Sequence, residues 1–127
     1  MENLLRILTA SPRVHIGNVT KNCDEIKSIY KEYADKADII LMPELSLTGY
    51  TCADLFENRN LLDNTVRGLM ALTKFTESFG ENGSALVVGA PIEVSGELYN
   101  CAAFIQNGKI IAVVPKTYLP NLSLIHI

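Results

Sequence analysis

Two charged residues of this 127-residue chain stand where ligand-binding side chains of α/β proteins are often found. Glu44 and Lys116 each directly follow a proline that closes an apolar run, residues 39–42 and residues 109–114. If the two strands are near neighbours, a carboxylate and an ammonium group converge beyond their carboxyl ends. Spacing alone favours a salt bridge at the rim of the sheet, which would contribute little to stability. A catalytic base paired with a stabilising cation is the alternative.

Other reactive side chains give weaker signals. Cys23 falls on the apolar stripe of a predicted helix and Cys101 lies within a predicted strand, so both are expected to be buried structural thiols. Cys52 follows Glu44 in the same loop and is the more tempting nucleophile. His15 and His126 have no partner at a catalytic or metal-binding spacing. The odd number of cysteines and the absence of a Cys-x-x-Cys motif argue against a disulfide framework or a zinc site.

The composition excludes several classes of protein. Hydrophobic residues make up 48% of the chain, which is typical of a globular domain and not of a disordered one. The net charge is −3 and the two signs are interleaved, so no basic patch indicates nucleic acid or a membrane surface as a partner. The apolar runs are too short to cross a bilayer, and the first residues lack the pattern of a signal peptide. We therefore expect a cytoplasmic protein.

The elements that would position the two charges alternate along the chain. Steps of four and three residues predict a first helix with Asn18 as its N-cap, and a second helix that ends near Gly80. The predicted apolar face of the first helix contains Val19, Cys23, Ile26, Tyr30, Tyr33 and Ala37. The predicted apolar face of the second helix contains Leu62, Val66, Leu69 and Thr73.

Five strands complete the predicted architecture. The continuous apolar run 85–90 predicts a strand covered on both faces and ended by Pro91. Asn107-Gly108 between two apolar runs predicts a tight β-hairpin, because both residue types tolerate positive φ. The predicted strands are residues 4–10, which we expect to be buried, and residues 39–42, 85–90, 99–105 and 109–114. The pattern indicates an α/β protein with a mixed sheet.

Two segments carry a resemblance to a known superfamily. They are PELSLTGYTCADLF, residues 43–56, and LYNCAAFIQNGKIIAVVPKTYLPN, residues 98–121. Both are similar to the nitrilase, or carbon–nitrogen hydrolase, superfamily, and the resemblance extends from about residue 5 to residue 121. The runs TGYTCADLF and PKTYLPN resemble the amino-terminal glutaminase domain of glutamine-dependent NAD synthetases more than stand-alone amidases.

The resemblance implies a nitrilase-type α-β-β-α sandwich, of which this chain holds only the first half. It implies amide hydrolysis by a Glu–Lys–Cys triad, with Glu44 as the general base, Lys116 stabilising the oxyanion and Tyr50 beside the substrate. In the family the nucleophilic cysteine lies well beyond the position of Lys116. The resemblance therefore gives Cys52 no catalytic role, and this chain by itself is expected to be inactive.

The resemblance also implies the partners. Glutamine is the expected substrate, and its ammonia would pass to an ATP-dependent synthetase domain, absent here, that amidates nicotinic acid adenine dinucleotide to NAD. No metal or cofactor is expected in the glutaminase part, because in the family ATP and Mg²⁺ belong to the synthetase domain that is absent here. The full-length protein is expected to be a homo-oligomer. Two alternatives stay open: a stand-alone amidase acting on another carboxamide, and a non-catalytic α/β interaction domain.

The final residues break the resemblance abruptly. The similarity is strong through Asn121 and then fails at LSLIHI, residues 122–127. The codons CTG TCT CTT ATA CAC ATC encode the same hexapeptide, and they spell a transposon end that serves as an adapter in sequencing libraries. We therefore expect residues 1–121 to be the partial hydrolase domain and residues 122–127 to be an adapter-derived, non-native tail.

Overall fold

The computed structural model describes residues 4–49 and 58–116. Their elements are β1 Ile7–Thr9, α1 Val19–Tyr33, β2 Ile39–Leu41, α2 Arg59–Glu77, β3 Ala85–Val94, β4 Glu97–Gln106 and β5 Lys109–Pro115. The strands form one sheet in the order β1-β2-β3-β4-β5. Strands β1, β2 and β3 are parallel, whereas β4 is antiparallel to both β3 and β5. Two β-α-β crossovers are thus followed by a meander, which confirms the predicted α/β class.

Local sequence signals explain where the helices begin. The side chain of Asn18 accepts a hydrogen bond from the backbone N–H of Lys21, and that of Asn58 accepts one from Asn60 N. Each asparagine satisfies a backbone donor that the first helical turn leaves without an intrahelical acceptor. Helix α1 ends at Tyr33, yet Ala37 beyond it is still buried. Of the described helices, none is long and apolar enough to cross a membrane.

The two faces of the sheet differ. The helix-covered face carries Ile40, Leu86, Val88, Ala103 and Ile105, which form one buried cluster with residues of both helices. Within it, Tyr30 packs edge-on against Phe79 and donates a hydrogen bond to the Ser84 carbonyl. Strand alternation and register place the remaining side chains on the other side, which we call the open face: Ile7, Ile39, Leu41, Val87, Ala102, Phe104 and Val114.

Three expectations about the elements were wrong. Only Ile7–Thr9 of the predicted buried strand 4–10 is a strand. Leu4 before it is 79% exposed, and Ile7 is 55% exposed because its side chain lies on the open face. Strand β3 continues through Pro91 to Val94. The backbone of Gly89 points its N–H and C=O away from β4, and Pro91, two residues on, has the same orientation. The missing N–H of Pro91 therefore costs no hydrogen bond between β3 and β4.

The third wrong expectation concerns Val66, which was predicted on the apolar face of the second helix. It lies on the solvent side of α2 and is 51% exposed.

Both hairpin turns use backbone conformations with positive φ. Asn107 and Gly108 have φ values of 50° and 75°, which confirms the predicted hairpin between β4 and β5. A second hairpin joins β3 to β4 through Ser95 and Gly96, with φ values of 52° and 82°. This second turn was not predicted, although a Ser-Gly pair is a recognised turn signal.

Candidate active site

The two strand ends that carry the charges lie at the same edge of the sheet. Strand β5 is antiparallel to β4, and β4 is antiparallel to β3, so β5 runs in the same direction as β2. The strands are nevertheless not near neighbours, because β3 and β4 lie between them. Three strand spacings amount to about 14 Å, which the chain must bridge to bring the two charges together.

Glu44 and Lys116 do meet. Lys116 Nζ lies 3.3 Å from Glu44 Oε1, so the two charges converge although their strands are not neighbours. The two side chains are 37% and 35% exposed. An ion pair this open to water contributes at most about 1 kcal/mol to folding, so the stability of the fold does not account for the arrangement.

A hollow surrounds the pair. Its volume is about 340 Å³, and it is lined by residues 41–44, 87–89, 100–102 and 114–116. These segments come from the ends of β2 and β5 and from the strands between them. Most of the lining side chains are apolar, and among the residues that the structure describes Glu44 and Lys116 are the two charged ones in the lining. A small apolar hollow with a few convergent polar groups is typical of a small-molecule site.

The loop after β2 holds Glu44 on the edge of β3. Met42 N donates to the Val87 carbonyl at 2.9 Å, and Leu47 N donates to the Gly89 carbonyl at 3.0 Å. Between these two hydrogen bonds the chain loops out and carries Glu44 at its bend. The loop therefore continues the pairing of β3 beyond the point where β2 ends.

A buried asparagine of α1 holds the far side of the same loop. Asn22 Nδ2 donates to the Leu47 carbonyl and to the His15 carbonyl, each at 2.9 Å, and Asn22 Oδ1 accepts from His15 N at 2.7 Å. The His15 ring lies 3.2 Å from Glu25 Oε2, outside the hollow. His15 is a loop residue and takes part in a structural network.

Lys116 directly follows β5, the last strand of the described sheet. Its backbone N–H donates to the Asn100 carbonyl at 2.9 Å, and it ends an edge strand whose residues are all exposed. The Asn100 side chain shares the open face with the hollow and is 4% exposed. Its Nδ2 is buried without a hydrogen-bond partner in the described part of the chain.

The cysteines of the described segments are poor nucleophiles. Burial raises the pKa of the Cys23 thiol to about 11, against the opposing charge of Lys27. Burial also raises the pKa of Cys101, whose Sγ donates to the Tyr99 carbonyl at 3.7 Å. A neutral thiol is the wrong ionisation state for attack on a carbonyl. Both cysteines are buried, as the sequence predicted.

Several predicted residues lie outside the described segments: Tyr50, Cys52, His126 and the tail 122–127. Within residues 4–49 and 58–116, no group of three His, Cys, Asp or Glu side chains is arranged to hold a metal ion.

The family model of carbon-nitrogen hydrolases matches residues 5–123, including the first two residues of the predicted tail. The chain belongs to the carbon–nitrogen hydrolase family. It is 33% identical over 118 residues to the glutamine-dependent NAD(+) synthetase of Mycobacterium bovis, covering 92% of this chain and 17% of that protein. The chain thus spans about a fifth of the length of the curated synthetases it matches.

Solved structures show the same fold. The glutamine-dependent NAD(+) synthetase of Cytophaga hutchinsonii superposes with a TM-score of 0.81 at 24% identity, over 92% of this chain and 20% of that one. An amidase of Nesterenkonia from the nitrilase superfamily gives a TM-score of 0.76 at 20% identity, over 94% of this chain and 46% of that one. The five-stranded sheet with two helices is therefore part of a nitrilase-type α-β-β-α sandwich, as the resemblance implied.

Proposed function

We propose that this chain is part of an enzyme that hydrolyses the side-chain amide of glutamine and supplies the ammonia to a synthetase domain that amidates nicotinic acid adenine dinucleotide to NAD. The observation that carries the proposal is the 3.3 Å contact between Glu44 and Lys116 in a largely apolar hollow. The similarity to glutamine-dependent NAD(+) synthetases over 92% of the chain supports the choice of glutamine.

Glu44 acts as the base in the first half of the reaction. Its carboxylate accepts the proton of a cysteine thiol contributed by sequence beyond this chain, and the thiolate attacks the amide carbon of glutamine. Lys116 stabilises the negative charge that develops on the carbonyl oxygen. The C–N bond then breaks, the leaving nitrogen takes the proton from Glu44, and ammonia departs from a thioester.

Water completes the cycle. Glu44 accepts a proton from the water molecule that attacks the thioester carbonyl, and Lys116 again stabilises the oxyanion. The C–S bond breaks, the sulfur regains a proton, and glutamate leaves. Tyr50 is proposed to line the pocket on the side of the substrate.

A stand-alone amidase is the second candidate, because the sheet superposes almost as well on the Nesterenkonia amidase as on the synthetase. The genomic sequence after codon 121 distinguishes the two. A following ATP-dependent synthetase domain would support the first proposal, and a stop soon after the hydrolase domain would support the second.

The same genomic sequence tests the origin of the tail. A natural continuation at residues 122–127 other than LSLIHI would show that the hexapeptide is foreign.

The decisive experiment uses the full-length protein with either glutamine or free ammonia as the nitrogen source. Glu44→Gln and Lys116→Ala should each reduce glutamine-dependent NAD synthesis by about 1,000-fold or more, because a base or an oxyanion partner supplies a factor of this order. Synthesis from ammonia should survive, because that step takes place in the separate synthetase domain.

Two outcomes would contradict the proposal. Equal loss of both activities would give the pair a structural role. Full glutamine-dependent activity in Glu44→Gln would remove the base from the mechanism.

A further inference from the structure

The contact between Glu44 and Lys116 depends on a detour of the backbone. Strands β2 and β5 are separated by two strands, or about 14 Å. The loop after β2 does not extend in line with its strand. It turns and packs against the middle of β3, which moves Glu44 towards β4 and β5.

The crossing point is Gly89 of β3. A Cβ atom at residue 89 would lie 2.3 Å from Leu45 N, 2.9 Å from the carbonyl carbon of Glu44 and 3.0 Å from the Pro43 carbonyl oxygen. All three are backbone atoms, so no side-chain rotation would relieve the clash. The absence of a side chain at Gly89 leaves the space through which the Glu44 loop passes.

Hydrogen bonds fix the loop in that space. Gly89 N donates to Ser46 Oγ at 3.0 Å, and the Gly89 carbonyl accepts from Leu47 N at 3.0 Å. Ser46 is only 2% exposed, so water does not compete for its hydroxyl. Leu45 adopts a φ of 53°, an unfavourable conformation for leucine, while its side chain is fully buried. The loop is therefore held in one strained conformation by its surroundings.

We infer that Gly89 and Ser46 form a seat that sets the position of the Glu44 carboxylate relative to Lys116, and that both are positioning residues of the reaction. The inference rests on the proposed function, in which Glu44 is the general base. Neither residue need touch the substrate. A displacement of a catalytic group by about 1 Å can cost on the order of 100-fold in rate, so the effect of losing the seat is measurable.

Matched variants of the full-length protein test the inference. Gly89→Ala fills the seat, and Gly68→Ala is its control in helix α2, where a Cβ would come within 2.6 Å of Val19 Cγ1 and 2.9 Å of Cys23 Sγ. Ser46→Ala removes the hydroxyl that accepts from Gly89. Ser84→Ala is its control, a serine that is 1% exposed and donates to the Ala34 carbonyl on the opposite side of the domain.

The expected result is a selective loss of the glutamine-dependent reaction. Gly89→Ala should reduce kcat with glutamine by about 100-fold and Ser46→Ala by about tenfold, with KM for glutamine changed far less, because a misplaced base slows the chemistry more than it weakens binding. Synthesis from ammonia should remain within about twofold of the parent. The two controls should lower thermal stability without changing the ratio of the two activities.

Three outcomes would overturn the inference. The first is a Ser46→Ala enzyme with parental kcat for glutamine. The second is a Ser46→Ala enzyme that is insoluble or loses both activities equally, because Ser46 would then serve only the fold; this variant decides the matter if Gly89→Ala fails to fold. The third is a Ser84→Ala enzyme whose ratio of glutamine-dependent to ammonia-dependent synthesis falls as much as that of Ser46→Ala. Glu44→Gln, measured in parallel, separates failure of this inference from failure of the proposed function. If Glu44→Gln retains glutamine-dependent activity, Glu44 is not the general base and the proposed function fails.

Discussion

The two faces of the sheet are built for different purposes. On the helix-covered face Ile40, Leu86, Ala103 and Ile105 are completely buried beneath α1 and α2. On the open face Leu41 is 39% exposed and Val114 is 51% exposed, and the hollow with Glu44 and Lys116 lies between them. The covered face accounts for the stability of the fold, whereas the open face carries the candidate site and leaves apolar side chains exposed.

This difference indicates what the open face requires. Single exposed leucine or valine side chains are normal on a protein surface. A contiguous apolar sheet face, in contrast, marks a surface that another part of a protein covers. The related synthetases extend far beyond the region matched here, since the chain spans 17–20% of their length in the two matches with Mycobacterium bovis and Aquifex aeolicus. We expect a second sheet, contributed by such a continuation, to cover this face.

The largest expected effect follows from leaving the open face uncovered. The polypeptide of residues 1–127 by itself should be inactive and should aggregate or unfold without a sharp transition. Leaving even about 500 Å² of apolar surface exposed forfeits about 12 kcal/mol, which is comparable to the whole stability of a domain. Calorimetry and light scattering of the purified polypeptide check this, with the full-length protein as control. A cooperative melt of a monodisperse monomer would contradict the argument.

A pair of neighbouring substitutions compares the two faces in the full-length protein. Ile40→Ala, beneath the helices, should destabilise the hydrolase domain by about 2–5 kcal/mol. Leu41→Ala, one residue along β2 on the open face, should cost about 1–3 kcal/mol if the rest of the protein covers it. Thermal unfolding of both variants measures the difference. A Leu41→Ala protein as stable as the parent would mean that the open face stays in water.

Most of the fold was accessible from sequence because its signals are local. Three such signals each determine a conformation within a few residues. They are the apolar positions of α1 at steps of four and three, the asparagine at its N-cap, and the Asn107-Gly108 turn. The errors occurred where tertiary context decides. Strand β1 is exposed because Ile7 and Thr9 lie on the open face of the sheet, and Pro91 is tolerated because β2 ends before it reaches that level of β3. Neither fact is present in a single window of sequence.

The candidate site was accessible in part. The Pro-Glu and Pro-Lys endings indicated Glu44 and Lys116, and the structure brings them together. The residues that hold the loop of Glu44 were missed: Ser46, Gly89 and Asn22 act through contacts between residues 25 to 43 positions apart in the chain. The one available signal was Gly89 inside the apolar run 85–90, since glycine within a strand often marks a close approach of another backbone.

The smallest expected effect lies beneath the helices and concerns the pH dependence of stability. The folded protein keeps the Cys23 thiol protonated up to a pKa of about 11, whereas its ordinary value is 9.0. Between these values the unfolded chain has released a proton that the folded chain still binds, so this residue makes stability fall as the pH rises from about 9 to about 11. Below pH 9 both states hold the proton and the effect is absent.

Replacing the thiol isolates its contribution. Cys23→Ala should lower the melting temperature at pH 8, because it empties a space between α1 and Gly68 of α2, but the gap between parent and variant should narrow as the pH approaches 11. Tyr30, whose pKa burial also raises, is present in both proteins and cancels in the difference. Melting curves at several pH values provide the measurement. A constant gap between parent and variant over this range would show that the thiol of Cys23 ionises as readily in the folded protein as in the unfolded chain.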